Sequence, residues 1–372
     1  MPKPKPVSSF ARQLASAPKL HDNANPLWNG PCGMGPLGGI TQSMLVRFLS
    51  CRERFRLKYV CGLEPPDVWN KSIGYGNMWH VCEEVLAANG DPLLKLMDYA
   101  GGQMAKYPMQ RDEILKWCNV CRIQFPEYVK YWSEHPDVVG RIPLMQEQVF
   151  DVLYTLPSGR VVRLRGKFDS VDLIDGGIWL QENKTKGDID KMQVERQLTF
   201  DLQTMLYLVA LGRFGNLQED CQILGVRYNV VRRPLSGGVG NIKPHAAKQT
   251  KSKYTPAETD EEFYERLRRD YIAADPSHWF FRVRAEVSER DIQVFRNTCL
   301  DPLLETVCWW YAEVTTGASP RLVDYVCPPM NYRTPFGVYS ALEENGATEY
   351  DLCLATGSEA GLRRVETLFT EL

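Results

Sequence analysis

Gly166-Lys167-Phe168-Asp169, then Gln181-Glu182-Asn183-Lys184, then Gln203-Thr204-Met205-Leu206-Tyr207: the reading of this stretch decides the fold. Residues 167–174 run through apolar Phe168, Val171, Leu173 and Ile174, residues 178–184 read as a second strand, and Asp175-Gly176-Gly177 lies between them. Strand-like runs on either side of Asp-Gly predict a β-hairpin. If Asp175 and Gly176 form a two-residue type I′ loop, residue 174 faces 177, and counting back sets Asp169 opposite Glu182. Both carboxylates then project from one face, Lys184 joins them two residues on, and Asn183 points away. A loop at Gly176-Gly177 keeps all three together, whereas a three-residue loop turns Asp169 away.

Two carboxylates at short range raise each other's pKa unless a cation lies between them, and hard oxygen ligands suit Mg²⁺ or Mn²⁺. A lysine beside them can steady a deprotonated water and the charge that develops on a phosphate under attack. Metal, water and ammonium together describe phosphodiester hydrolysis. Taken alone, the three residues also suit a solvated surface hairpin whose ion pairs are worth ~0–1 kcal/mol each.

The flanks add more. Gly166-x-x-Asp169, Glu182-x-Lys184 after a short hairpin, and Gln203-x-x-x-Tyr207 on a helix together resemble the core of the PD-(D/E)XK nuclease superfamily. In particular they resemble its RecB-like branch, which includes the nuclease domains of helicase-nucleases and the CRISPR-associated and phage RecB-like exonucleases. Upstream, Gly76-x-x-x-His80-x-x-x-Glu84 resembles that branch's first motif. The resemblance covers residues 43–228 and implies a restriction-endonuclease-like α/β core, a mixed central sheet flanked by helices. It implies that His80, Asp169, Glu182 and the Asn183 backbone carbonyl hold one or two Mg²⁺ or Mn²⁺ ions. Lys184 would position and activate the attacking water, while Gln203 and Tyr207 orient the substrate or Lys184. Exonuclease action on DNA ends or single strands is the activity implied, in a DNA repair, recombination, phage or CRISPR-type setting with matching protein partners. A non-catalytic nucleic-acid-binding or scaffold protein on the same fold is the alternative, against which the intact Asp169, Glu182 and Lys184 weigh.

The chain has 372 residues, 44% of them hydrophobic, enough for one large domain or two smaller ones. Its formal net charge of −2 gives no global attraction to nucleic acid, so DNA binding requires a local basic patch. No apolar run approaches the ~20 residues that cross a bilayer, and Met1-Pro2-Lys3-Pro4-Lys5-Pro6 lacks the apolar core of a secretory signal. The expected location is cytoplasmic, with the eleven cysteines reduced.

In chain order, residues 1–38 read as a mobile or draped arm, rich in Pro and Gly. Residues 39–235 form the nuclease core, 236–258 a basic loop, and 259–372 a C-terminal helical region. Ser43 is the expected cap of a basic amphipathic helix through Leu45, Phe48, Leu49, Phe55 and Tyr59, which also resembles the opening helix of RecB-like nucleases. Gly74 and Gly76 predict a loop leading into a helix that puts His80 and Glu84 on one face. Residues 92–137 read as a helical insertion broken at its prolines, in which Cys118-x-x-Cys121 favours core packing over zinc. Residues 146–154 and 160–165 predict two strands that complete a meander with the hairpin. A long helix is expected over 191–212, a strand over 223–231, helices over 259–275 and 288–316, and a strand over 279–287. Lys243, His245, Lys248, Lys251 and Lys253, following Arg227, Arg232 and Arg233, suggest a phosphate-gripping loop. Many RecB-like nucleases hold an iron–sulfur cluster. Cys51 occupies the place of its first ligand, but the segment from Cys327 through Pro335-Phe336 keeps one cysteine, so no cluster is expected unless Cys299, Cys308 or Cys353 folds in.

Overall fold

The structure, a computed structural model, describes residues 26–192, 196, 201–214, 222–235, 242–250, 254–316, 349–350, 353, 359–370 and 372. The predicted arm up to residue 25 and the segment around Cys327 lie outside the described residues. Residues 26–40 run along the sheet: Trp28 is fully buried and Ile40 forms a parallel bridge with Leu164. That bridge holds Thr41 in extended backbone, so the first helix, α1 (Gln42–Ser50), starts at once, and Thr41 rather than Ser43 caps it through the Met44 N–H.

The helix expected to run on through Phe55 and Tyr59 is interrupted where Cys51 turns extended, and helical backbone resumes over Arg52–Phe55 and Arg56–Val60. The next long helix, α2 (Lys71–Ala87), contains Gly74 and Gly76 instead of following them. The reason is steric. A Cβ on Gly74 would sit 2.3 Å from the Trp69 indole, so this glycine lets the helix press against its neighbour, whereas one on Gly76 would meet the Thr185 hydroxyl at an ordinary 3.5 Å. The insertion comprises α3 (Pro92–Lys106) and α4 (Arg111–Glu134). Helix α4 continues through Pro126, where a break was expected; buried Gln124, Phe125 and Tyr128 keep that turn packed.

Five strands follow, β1 (Ile142–Thr155), β2 (Val161–Ile174), β3 (Gly177–Lys186), β4 (Ile223–Arg232) and β5 (Phe280–Glu286), in that order across one sheet. The two strands expected at 160–165 and 167–174 are one continuous strand, β2. Asp175 (φ 54°) and Gly176 (φ 80°) both adopt left-handed backbone and Ile174 faces Gly177, which is the type I′ arrangement. Strands β3 and β4 run parallel while every other neighbour is antiparallel, so the sheet is mixed. The crossover carries α5 (Leu202–Leu211). Asp201, in extended backbone, caps α5 afresh within the long helix predicted over 191–212, part of which lies outside the described residues.

Helices cover both faces. On one, α1, α5 and the C-terminal α7 (Glu289–Phe295) and α8 (Asp301–Thr316) bury Phe48, Phe55, Phe150, Phe168, Leu304 and Trp310. On the other, α2, α3, α4 and α6 (Asp260–Arg266) enclose Tyr75, Trp79, Trp117, Phe125 and Phe280. No helix among the described residues is long and apolar enough to cross a membrane.

Asp137, just past α4, ties the insertion to the sheet. It accepts from Arg227 Nε and Nη2 and from Arg282 Nη1, each at 2.7 Å. Burial would raise its carboxyl, but the two guanidiniums outweigh burial and hold it well below the usual carboxylate range. A carboxyl whose folded pKa is depressed stabilises the fold above its unfolded pKa and loses that contribution as pH falls through the folded one. Asp137→Asn is therefore expected to lower stability by about 3 kcal/mol at neutral pH. In urea titrations the gap to wild type should narrow below about pH 4.

Candidate active site

The site lies where the sheet opens. Strand β2 pairs with β3 from Ile174↔Gly177 as far as Ser170↔Gln181, and β3 continues beside β4 alone to Lys186↔Arg232. Asp169, one residue past the last pair, turns its carboxylate onto the freed backbone: Oδ2 accepts the Asn183 N–H at 2.7 Å. The register expected from the sequence therefore leads up to the Asp169 and Glu182 positions without a ladder pair between them.

Glu182 is almost fully buried. Its Oε1 accepts Lys184 Nζ at 2.6 Å and Gln203 Nε2 at 2.6 Å, and Gln203 Oε1 in turn accepts Lys184 Nζ at 2.8 Å. Helix α5 thus closes a three-member clamp on β3. The other oxygen, Glu182 Oε2, is buried without a hydrogen-bond partner among the described residues. Asn183 points to the opposite face, where its side-chain oxygen accepts from Asn229 at 2.9 Å. Tyr207 sits one turn from Gln203, its ring edge-on to Phe150 and Phe168 and its hydroxyl near Gln203 and the Lys167 backbone.

His80 reaches in from α2. Its Nδ1 lies 3.3 Å from Glu147 Oε1 and 3.7 Å from Asp169 Oδ1, and ligand atoms of these three residues all fall within 4.8 Å of one another. Burial would lower the imidazole pKa, but Asp169 and Glu147 raise it to about 9. Burial and then Glu182 push the Asp169 carboxyl up to about 7, against the pull of His80 and the Asn183 N–H. For Lys184, burial is outweighed by Glu182, so the pKa rises and the side chain stays an ammonium.

Glu147 is the residue that sequence reasoning missed. It lies on β1 between the pairs Gln146↔Ser170 and Gln148↔Phe168, facing Asp169, and its backbone is left-handed (φ 47°). Lys167 Nζ holds its Oε2 at 2.5 Å. A left-handed glutamate inside a strand has no sequence signature, since only Gly, Asn and Asp visit that region readily.

Other expectations meet different surroundings. Arg227 is buried on Asp137 and Gln181, and Arg232 bonds Asp188 and the carbonyls of Ile189 and His278, so neither is free to grip phosphate as expected from its neighbourhood with the basic loop. In that loop Lys248-Gln249 pairs with Tyr254-Thr255, while Lys251 and Lys253 lie outside the described residues. Cys118 and Cys121 are buried in the insertion core with Cys82. Cys51 is buried, Cys299 exposed, Cys308 touches Cys32 at 3.7 Å between sulfurs, and Cys353 packs with Leu57 and Leu63.

A mixed sheet between helical layers, opening where Asp169, Glu182 and Lys184 gather, is the restriction-endonuclease-like α/β fold. The family model of the PD-(D/E)XK nuclease superfamily matches residues 40–291, from just before α1 into α7, and the chain belongs to that superfamily. No curated protein matches the chain.

The motif glycine Gly166 has a packing role. A Cβ there would lie 2.4 Å from the Phe150 ring and 3.2 Å from that of Tyr207. Gly166→Ala is expected to cost about 1–3 kcal/mol through overpacking, read as a lowered denaturant midpoint, with Tyr207 displaced from Gln203.

Proposed function

We propose that the protein is a Mg²⁺- or Mn²⁺-dependent deoxyribonuclease that hydrolyses phosphodiester bonds at DNA ends or in single strands as an exonuclease. The observation that carries this reading is the orphaned Glu182 Oε2, buried beside a second carboxylate that burial and Glu182 itself have driven up in pKa. A buried acceptor without a donor is costly, and a hard divalent ion among carboxylate oxygens and an imidazole satisfies it. The donor set therefore fits. Asp169, Glu182 and His80 would hold the ion, with the Asn183 carbonyl. When bound, it supplies Lewis acidity and a water that ionises near neutral pH.

The chain's own residues do the rest. Lys184, kept as an ammonium, donates to the attacking water or to the phosphoryl oxygen on which charge builds; it stabilises charge and does not remove the proton. Gln203 fixes the Lys184 ammonium against Glu182 in one geometry, which limits the reorganisation needed as the phosphorus–oxygen bond breaks. Tyr207, set by its ring contacts, orients Gln203 from the neighbouring turn.

The test incubates end-labelled single- and double-stranded DNA with the protein and Mg²⁺ or Mn²⁺. Glu182→Ala and Lys184→Ala are expected to lose roughly 10²–10³-fold or more in cleavage rate, with far-UV circular dichroism unchanged and no cleavage by wild type in chelator. Equal degradation by all three proteins, or none by wild type with either ion, would overturn the reading.

A further inference from the structure

Away from the acids, two cysteines distant in sequence meet. Gly30-Pro31-Cys32-Gly33 forms a tight turn, closed by the Gly33 N–H on the Gly30 carbonyl at 3.1 Å, with proline at its second position. Cys32 stands exposed at the corner. Helix α8 seats this turn: the Tyr311 hydroxyl donates to the Trp28 carbonyl at 2.7 Å, and a Cβ on Gly30 would collide with the Tyr311 ring. One helical turn before Tyr311, buried Cys308 places its sulfur 3.7 Å from that of Cys32, across 276 positions of sequence. One turn earlier still, Glu305 accepts Arg160 Nη1 at 2.7 Å, which brings that guanidinium beside the pair. The two thiols are unlike. The Cys308 hydrogen bond lowers Cys32 to about 7, helped by Arg160 and opposed by burial and the Glu305 carboxylate. The same bond, and then burial, push Cys308 well above the usual thiol range, so Cys308 keeps the proton that the pair shares. Burial also pushes up the thiols of Cys61, Cys118, Cys121, Cys299 and Cys353. Cys32 therefore combines exposure with a thiolate at neutral pH, the two requirements for attack on a disulfide.

We propose that Cys32 and Cys308 are a thiol–disulfide pair, oxidised by a small-molecule disulfide, whose closure fastens residues 26–40 to helix α8. The Cys32 thiolate attacks one sulfur of the small disulfide, forming a mixed disulfide and releasing the other half as a thiolate. The Cys308 sulfur then attacks Cys32 Sγ and releases the second half, which leaves as a thiol with the Cys308 proton. The two cysteine sulfurs lose two electrons, and the small disulfide gains them. The sulfurs must approach by roughly 1.7 Å to reach a bond of about 2.05 Å, and Cys32 lies at an exposed corner where its side chain can turn. The fastened segment also holds β2: the Pro31 carbonyl accepts the Arg163 N–H at 3.0 Å, and Ile40 bonds the backbone of Arg163 and Arg165. A cross-link that closes so long a loop restricts the unfolded chain, so the oxidised protein is the more stable form.

The test reduces the full chain, incubates it with oxidised glutathione, blocks the remaining thiols and maps the peptides by mass spectrometry. Wild type is expected to yield a linked Cys32–Cys308 peptide that dithiothreitol removes, and to unfold at a higher urea midpoint once oxidised. Cys308→Ala is expected to stop at the mixed disulfide on Cys32, and Cys32→Ser to react at least about tenfold more slowly, with neither midpoint rising. The wild-type map decides even where Cys308→Ala does not fold. Absence of the linked peptide from oxidised wild type, or linkage of Cys32 or Cys308 chiefly to other cysteines, overturns the pair. A linked peptide with an unchanged midpoint overturns the fastening of residues 26–40 to α8.

Discussion

Negative charge in a small, largely buried volume is the constraint on which the site depends. Glu147, Asp169 and Glu182 converge, and two unit charges about 4 Å apart repel by roughly 4 kcal/mol at the effective dielectric of a protein near its surface. Three cationic groups offset them: His80, Lys167 and Lys184. Each is delivered by a different piece of structure, α2, β2 and β3. The charge balance therefore holds only if the helix, the hairpin and the edge strand are all in place, which makes the site a product of the whole core.

The sheet supplies the geometry. While two strands remain hydrogen-bonded, their side chains keep to fixed faces. Parting β2 from β3 beyond Ser170↔Gln181 frees the Asn183 N–H to anchor Asp169, and the left-handed turn at Glu147 occurs at the matching place on β1. Two irregularities in adjacent strands thus face each other across Asp169. Helix α5, packed through Tyr207 on Phe150 and Phe168, then brings Gln203 to the Glu182 and Lys184 side chains. Gly166 permits that packing because a side chain there would collide with both rings.

Much of this was legible from residues 166–207. The type I′ loop followed from Asp175-Gly176 because few residues accept two successive left-handed positions, and the shared side of Glu182 and Lys184 followed from the strand period. The placing of His80 near the acids was legible through the spacing of its motif, although the helix around Gly74 and Gly76 was not. Gly74 serves close contact with Trp69, and close contact is a tertiary fact. Glu147 was invisible because its role depends on backbone strain. Arg227 and Arg232 counted towards a phosphate-gripping loop only as sequence neighbours of its lysines, and proximity in sequence says nothing about burial; Asp137, which claims Arg227, lies 90 positions away.

The central claim is that the acids facing one another across the opened sheet edge share a divalent cation. Anomalous diffraction from crystals grown with Mn²⁺ measures this most directly. The account predicts a manganese peak within bonding distance, about 2.0–2.3 Å, of carboxylate oxygens from both Asp169 and Glu182. A saturated ion bound elsewhere, with Asp169 and Glu182 uncoordinated and their carboxylates directed apart, would contradict it.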